Sequence, residues 1–131
     1  MNTPASVLIV EDEESILLSL EFLFNKEGYS VSTARDGAAA LQAFEQHVPD
    51  LVLLDVMLPL IDGFELCRLI RAKPALRGMR IVLLTARGRE SEIARGLALG
   101  ADAYLTKPFS TRDLMEKVRA LLSGSTAQPA G

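Results

Sequence analysis

A pattern repeated three times constrains this chain most: an unbroken run of aliphatic residues that stops on a polar one. Val7-Leu8-Ile9-Val10 runs into Glu11-Asp12, Leu51-Val52-Leu53-Leu54 into Asp55, and Ile81-Val82-Leu83-Leu84 into Thr85. Aliphatic runs of this length predict strands buried on both faces, as in a parallel sheet covered by helices on either side. Two further segments predict sheet edges. Tyr29 to Ala34 alternates apolar and polar residues, and Ala103-Tyr104-Leu105-Thr106 is short and followed by Lys107-Pro108.

Helical periodicity fills the intervals. Ile16, Leu17, Leu20, Leu23 and Phe24 form a stripe ended by Gly28, and Ala40, Leu41 and Phe44 form a second. Leu66, Cys67 and Ile70 form a third, opened by Asp62 and stopped near Pro74. Ile93, Ala94, Leu97 and Ala98 form a fourth, before Gly100. Leu114, Val118, Leu121 and Leu122 form the last, with Ser110 and Asp113 as a capping-box pattern at its start. Five strand-helix units in strict alternation predict an α/β domain, a doubly wound five-stranded parallel sheet in the order 2-1-3-4-5. From Ser123 to Gly131 the chain turns small and polar, which reads as a flexible tail or the start of a linker.

Composition removes several alternatives. The 131 residues suffice for one domain with a real core, and 49% apolar with 24% charged residues is globular composition. A net charge of -3 argues against broad nucleic-acid or acidic-membrane binding. One cysteine, Cys67, excludes an internal disulfide framework, and its place on an apolar stripe makes it a core residue. His47 stands alone near a helix end and reads as a surface residue. No basic run followed by an apolar stretch opens the chain, and no apolar run approaches the roughly 18 residues of a membrane span. A cytoplasmic location is the expectation.

In an open parallel sheet, ligands bind outside the carboxyl ends of the strands. The residues delivered there are Glu11, Asp12, Asp55, Thr85 and Lys107. Three converging carboxylates repel unless a cation joins them, and an all-oxygen ligand set selects magnesium or manganese. A carboxylate beside such a cation is either a ligand or a nucleophile toward phosphorus. The charge of Lys107 and the hydroxyl of Thr85 suit the oxygens of a transferring phosphoryl group, and Ala86 leaves room for it. Singly, each residue has a plainer reading: acids before a helix, a turn starter, a strand end, a solvated lysine. Their arrival at one sheet edge from separate strands sets those readings aside.

These motifs resemble the receiver domain of bacterial two-component response regulators. The resemblance is carried by Val10-Glu11-Asp12-Glu13, Asp55-Val56-Met57-Leu58-Pro59 with Asp62-Gly63, Leu84-Thr85-Ala86, and Gly100-Ala101-Asp102-Ala103-Tyr104-Leu105-Thr106-Lys107-Pro108-Phe109. It covers residues 5 to 122 and implies a flavodoxin-like (βα)5 fold. It implies Asp55 as the phosphoacceptor, with a sensor histidine kinase or histidine phosphotransfer protein as donor. Asp12, Asp55 and the Met57 carbonyl are the implied Mg2+ ligands, with Glu11 acting through water. Lys107 is expected to pair with Asp55 and to precede a cis bond to Pro108. Thr85 and Tyr104 are the expected switch pair, Thr85 moving toward the phosphoryl group and Tyr104 turning inward. The output surface is expected on the last helix-strand-helix, Glu90 to Leu122, acting on a partner or output domain. Such a domain is not an enzyme beyond its own phosphorylation and dephosphorylation.

The chain departs from the family pattern in two places. Regulators that dimerise on this last surface often carry two acids before the tyrosine; here the second is Ala103, leaving Asp113, Lys117 and Arg119 as candidates for a phosphorylation-dependent homodimer or as a solvated face. Leu60-Ile61 replaces a small residue and methionine, and reads first as a local lid, with a partner contact as the alternative. Met57 and Arg87 border the phosphoryl site and are expected to tune the access of water. Two rival functions remain. A Mg2+-dependent phosphohydrolase with an aspartate nucleophile usually has a second acid where Met57 stands. A phosphorylation-incompetent binding module would not need all five chemical positions. The chain is either a stand-alone receiver or the front of a longer regulator.

Overall fold

The computed structural model describes residues 4–86 and 90–127. Its elements alternate: β1 (Ser6–Val10), α1 (Glu14–Lys26), β2 (Ser30–Ala34), α2 (Gly37–Gln46), β3 (Leu51–Asp55), α3 (Gly63–Ala72), β4 (Arg80–Ala86), α4 (Ile93–Ala98), β5 (Ala103–Lys107) and α5 (Thr111–Ala127). All strand pairs are parallel, in the order β2-β1-β3-β4-β5, which is the order the sequence predicts.

The two-residue period of the central strands sorts their side chains onto two faces. Leu8, Val10, Val52, Leu54, Ile81 and Leu83 pack with Ala40, Phe44, Leu66, Cys67 and Ile70 of α2 and α3. Val7, Ile9, Leu51, Leu53, Val82 and Leu84 pack with Leu17, Leu20 and Phe24 of α1 and Leu114 and Val118 of α5. This is why the three runs lack polar residues: each side chain leaves water, whichever face it points to. Each buried Val, Leu or Ile contributes roughly 1.5–3 kcal/mol relative to exposure. Cys67 lies in the first core, and burial raises its thiol pKa. His47 is exposed, with Nε2 3.2 Å from the Ser6 hydroxyl.

Three local expectations need correction or extension. The fourth apolar stripe does not face the core: Ala94, Leu97 and Ala98 are exposed, and Gly96 is the buried residue of α4. A Cβ at Gly96 would stand 2.4 Å from Leu83 Cδ1, so α4 sits against β4 through its glycine and turns its larger side chains outward. The change in composition at Ser123 does not end α5, whose backbone stays helical to Ala127; residues 128–131 of the expected tail lie outside the described residues. Of the Ser110–Asp113 capping pattern, one half is present: the Ser110 hydroxyl accepts the Asp113 N–H at 2.9 Å.

The lid expected at Leu60-Ile61 is not formed. Leu60 is 88% exposed with φ +67°, the left-handed region that disfavours a branched side chain, while Ile61 packs against Gly37 and the α2–α3 core. Since the Leu60 side chain gives up few contacts, Leu60→Gly is expected to stabilise the chain by up to about 1 kcal/mol. Urea unfolding read by circular dichroism checks this; a loss of stability would mean that the exposed side chain holds the loop.

Candidate functional site

The carboxyl ends of β1, β3, β4 and β5 deliver the polar residues at the sheet's upper edge. Glu11 follows β1, Asp55 closes β3, Thr85 and Ala86 end β4, and Lys107 ends β5, with Ala86 paired to Lys107 in register. Among the described residues Glu11, Asp55 and Thr85 are the buried polar side chains, 1%, 4% and 1% exposed. Asp12 is exposed. Carboxylate oxygens of Glu11, Asp12 and Asp55 lie within 4.8 Å of one another. This grouping fits a hard divalent cation: the donors are all oxygen and partly desolvated, with no imidazole or thiolate among them.

Lys107 partly offsets this charge. Its Nζ lies 3.1 Å from Asp55 Oδ2 and 3.4 Å from Glu11 Oε1. Burial pulls the Lys107 pKa down, but Asp55 and Glu11 together outweigh it and the net shift is upward. Glu11 is also raised, first by burial and then by Asp55, against the opposing pull of the Glu13 N–H and Lys107. One ammonium therefore does not satisfy the cluster.

Backbone groups fix the rest. The Met57 N–H donates to Asp55 Oδ1 at 3.0 Å, which turns the chain after β3 and places Met57 beside the carboxylate. Asp62 caps α3 by accepting the Glu65 N–H at 2.9 Å. A Cβ on Gly63 would come within 2.6 Å of Val56 Cα and 2.7 Å of the Asp55 carbonyl oxygen, so only glycine lets α3 start this close to Asp55. The Glu13 N–H donates to Glu11 Oε2 at 3.1 Å. The Lys107–Pro108 peptide is cis. Thr85 Oγ1 is buried with no hydrogen-bond partner among the described residues, a state that ordinarily costs about 1–3 kcal/mol. Tyr104 is turned outward, 37% exposed. Arg87 lies outside the described residues.

Sequence reasoning missed Arg35, whose Nη2 donates to the Asp12 carbonyl at 3.2 Å and whose Nη1 is 3.9 Å from Glu14. The strand-end rule that found Asp55 also applies to β2 and would have pointed to it. Asp102, the acid two residues before Tyr104, accepts from Arg71 Nη2 at 2.9 Å and from the Ile81 N–H at 2.8 Å, with Arg80 at 3.8 Å. It is committed inside the chain, at the opposite end of the sheet.

A buried aspartate joined to a lysine and two further acids, at the edge of a 2-1-3-4-5 parallel sheet, defines a class: receiver domains that take a phosphoryl group beside Mg2+. The chain belongs to the response regulator receiver domain family, whose model matches residues 7–119. Over 116 residues, 88% of this chain, it is 47% identical to the phosphate regulon transcriptional regulatory protein PhoB of Rhizobium meliloti (strain 1021). It spans about half of that relative's length (51%). Among solved structures, the signal receiver domain of a signal transduction histidine kinase from Syntrophus aciditrophicus is 35% identical with a TM-score of 0.85, covering 92% of this chain and 91% of that one. The receiver domain of sensor histidine kinase PA1611 from Pseudomonas aeruginosa PAO1, which has a magnesium ion coordinated in its active site cleft, is 30% identical with a TM-score of 0.84, covering 92% and 99%. The chain is thus a signalling module of two-component systems, and its Glu11, Asp12 and Asp55 cluster fits the Mg2+ phosphorylation site.

The raised Glu11 pKa yields a stability prediction. A carboxyl that holds its proton more tightly when folded contributes stability at low pH that is lost as pH rises through its folded-state value. Without divalent cation, Glu11→Gln is expected to stabilise the chain modestly at pH 7, since the amide carries no charge to bury beside Asp55 and Lys107 keeps its bond to Asp55. The advantage should shrink as pH falls and Glu11 takes up its proton, and Mg2+ should stabilise the wild type more than the variant. Thermal melts in chelator and in Mg2+ at two pH values measure all three.

Proposed function

We propose that Asp55 is the phosphoacceptor of a phosphorylation-activated switch, supplied by a sensor histidine kinase or a histidine phosphotransfer protein. The observation that carries this reading is the Asp55 carboxylate itself, buried, with Oδ2 on Lys107 and Oδ1 on the Met57 N–H. An Asp55 oxygen attacks phosphorus, the bond from phosphorus to the donor nitrogen breaks, and the nitrogen leaves with the electron pair. Asp12, Asp55 and the Met57 carbonyl would hold Mg2+, or Mn2+, with Glu11 acting through water; when bound, the ion neutralises charge on the phosphoryl oxygens. Lys107 supplies a fixed positive charge to a phosphoryl oxygen once Asp55 has spent its own charge in the new bond. The Thr85 hydroxyl, without a partner among the described residues, donates to another, and Ala86 leaves the space through which it approaches.

Movement of Thr85 toward the phosphoryl group vacates space that the outward Tyr104 ring fills, carrying the signal to the α4-β5-α5 surface. That surface controls a partner or output domain, and homodimerisation on phosphorylation is part of the proposal. The chain acts only on its own aspartate, since Met57 has no proton to give where a phosphohydrolase carries its second acid. Residues 5–122 belong to the receiver, whose last helix runs on to Ala127 ahead of the proposed tail or linker. We place the domain in the cytoplasm, where kinase and Mg2+ meet it; no helix among the described residues is long and apolar enough to cross a membrane.

Incubation with Mg2+ and either acetyl phosphate or phosphoramidate should add one phosphoryl group by intact mass, and Asp55→Asn should add none. No gain in the wild type would leave a binding module. Beryllofluoride with Mg2+ should shift the NMR signals of the Tyr104 ring, and Thr85→Ala should abolish that shift while leaving resting stability equal or slightly higher. An unmoved ring would sever Tyr104 from the switch.

A further inference from the structure

Beside Asp55 opens a cleft of about 450 Å3, with Asp12, Met57, Asp62, Phe64, Glu92 and Arg95 in its walls. It adjoins the acceptor directly, because the Met57 N–H is bonded to Asp55 Oδ1, and Lys107 stands on the other carboxylate oxygen. Its far wall is α4. Among the described residues Arg95 is the only cation in the lining, and its Cζ lies 4.3 Å from the centre of the Phe64 ring. Stacking on a buried aromatic fixes the plane of a guanidinium while leaving its N–H edge able to bind an anion.

An in-line displacement puts the leaving group on the side of phosphorus away from the attacking Asp55 oxygen. A donor entering from this cleft holds its leaving group among the cleft walls, where Arg95 is the cation that the described residues offer. Asp62 commits one oxygen to capping α3, and Asp12 belongs to the acidic cluster beside Asp55. Resting on the reading of Asp55 as phosphoacceptor, we propose that Arg95 is a specificity-determining residue that favours phosphoryl donors whose leaving group departs as an anion. With an acyl phosphate, Asp55 attacks phosphorus, the phosphorus–oxygen bond breaks, and a carboxylate leaves with the electron pair and the negative charge. With phosphoramidate, the phosphorus–nitrogen bond breaks and the already protonated nitrogen leaves as neutral ammonia. Arg95 meets developing negative charge in the first case and none in the second.

The test is the rate of phosphoryl gain from Mg2+ with acetyl phosphate and with phosphoramidate, for wild type, Arg95→Gln and Arg95→Lys. Arg95→Gln should slow acetyl phosphate about fivefold, the upper size of an exposed charge contact, and leave phosphoramidate within about twofold. Arg95→Lys should restore part of the loss. Arg95 is exposed, and matching melting temperatures confirm that the variants fold. Equal losses for both donors, or no loss for either, would overturn the role of Arg95 and leave the phosphoacceptor reading intact. A wild type that takes no phosphoryl group from either donor would overturn both.

Discussion

The pairing of Lys107 with Asp55 and Glu11 is the interaction on which the site's other properties depend. It brings one positive charge from the end of β5 to two buried carboxylates from the ends of β3 and β1, with the exposed Asp12 close by. The sheet edge is therefore under-compensated by construction. The raised pKa values of Glu11 and Lys107 are two faces of this imbalance, the acid resisting ionisation and the ammonium holding its proton. A site so poised responds strongly to added charge. A divalent cation would relieve it, and the proposed phosphoryl group would redistribute it between Lys107 and the Thr85 hydroxyl.

Much of this was legible because the relevant constraints are local. Buried central strands must be continuously apolar, so β1, β3 and β4 announce themselves, and the first polar residue after each run must emerge at the carboxyl edge. Parallel topology then gathers residues 96 positions apart, Glu11 and Lys107, without any pattern linking them in the sequence. The edge strands were legible for the converse reason, that one face or one side remains wet.

What stayed hidden depends on contacts that no local pattern encodes. The stripe at Ile93, Ala94, Leu97 and Ala98 has helical spacing, yet the rotation of α4 is set by Gly96 against Leu83. That rotation also decides that Arg95 reaches Phe64, and no periodicity shows it. Leu60 is apolar and stands beside the site, which suggests a cover; its left-handed backbone turns it to solvent instead. The backbone stays helical past Ser123 to Ala127, so the change in composition marks the boundary poorly.

The two ends of the sheet are held differently, and this shapes what the switch can move. At the lower end, the Arg71 guanidinium donates to the carbonyls of Met79 at 2.7 Å and Gly100 at 2.9 Å and to Asp102, which also accepts the Ile81 N–H. The Cys67 thiol reaches the Leu99 carbonyl at 3.6 Å. These contacts join α3, the start of β4 and the loop after α4 through partly buried, charge-assisted bonds. At the upper end, among the described residues, Thr85 has a buried hydroxyl without a partner and Tyr104 a ring turned to solvent. The lower end of α4 is thus firmly tied, while the upper end of the sheet holds a buried hydroxyl with a bond still to make among the described residues.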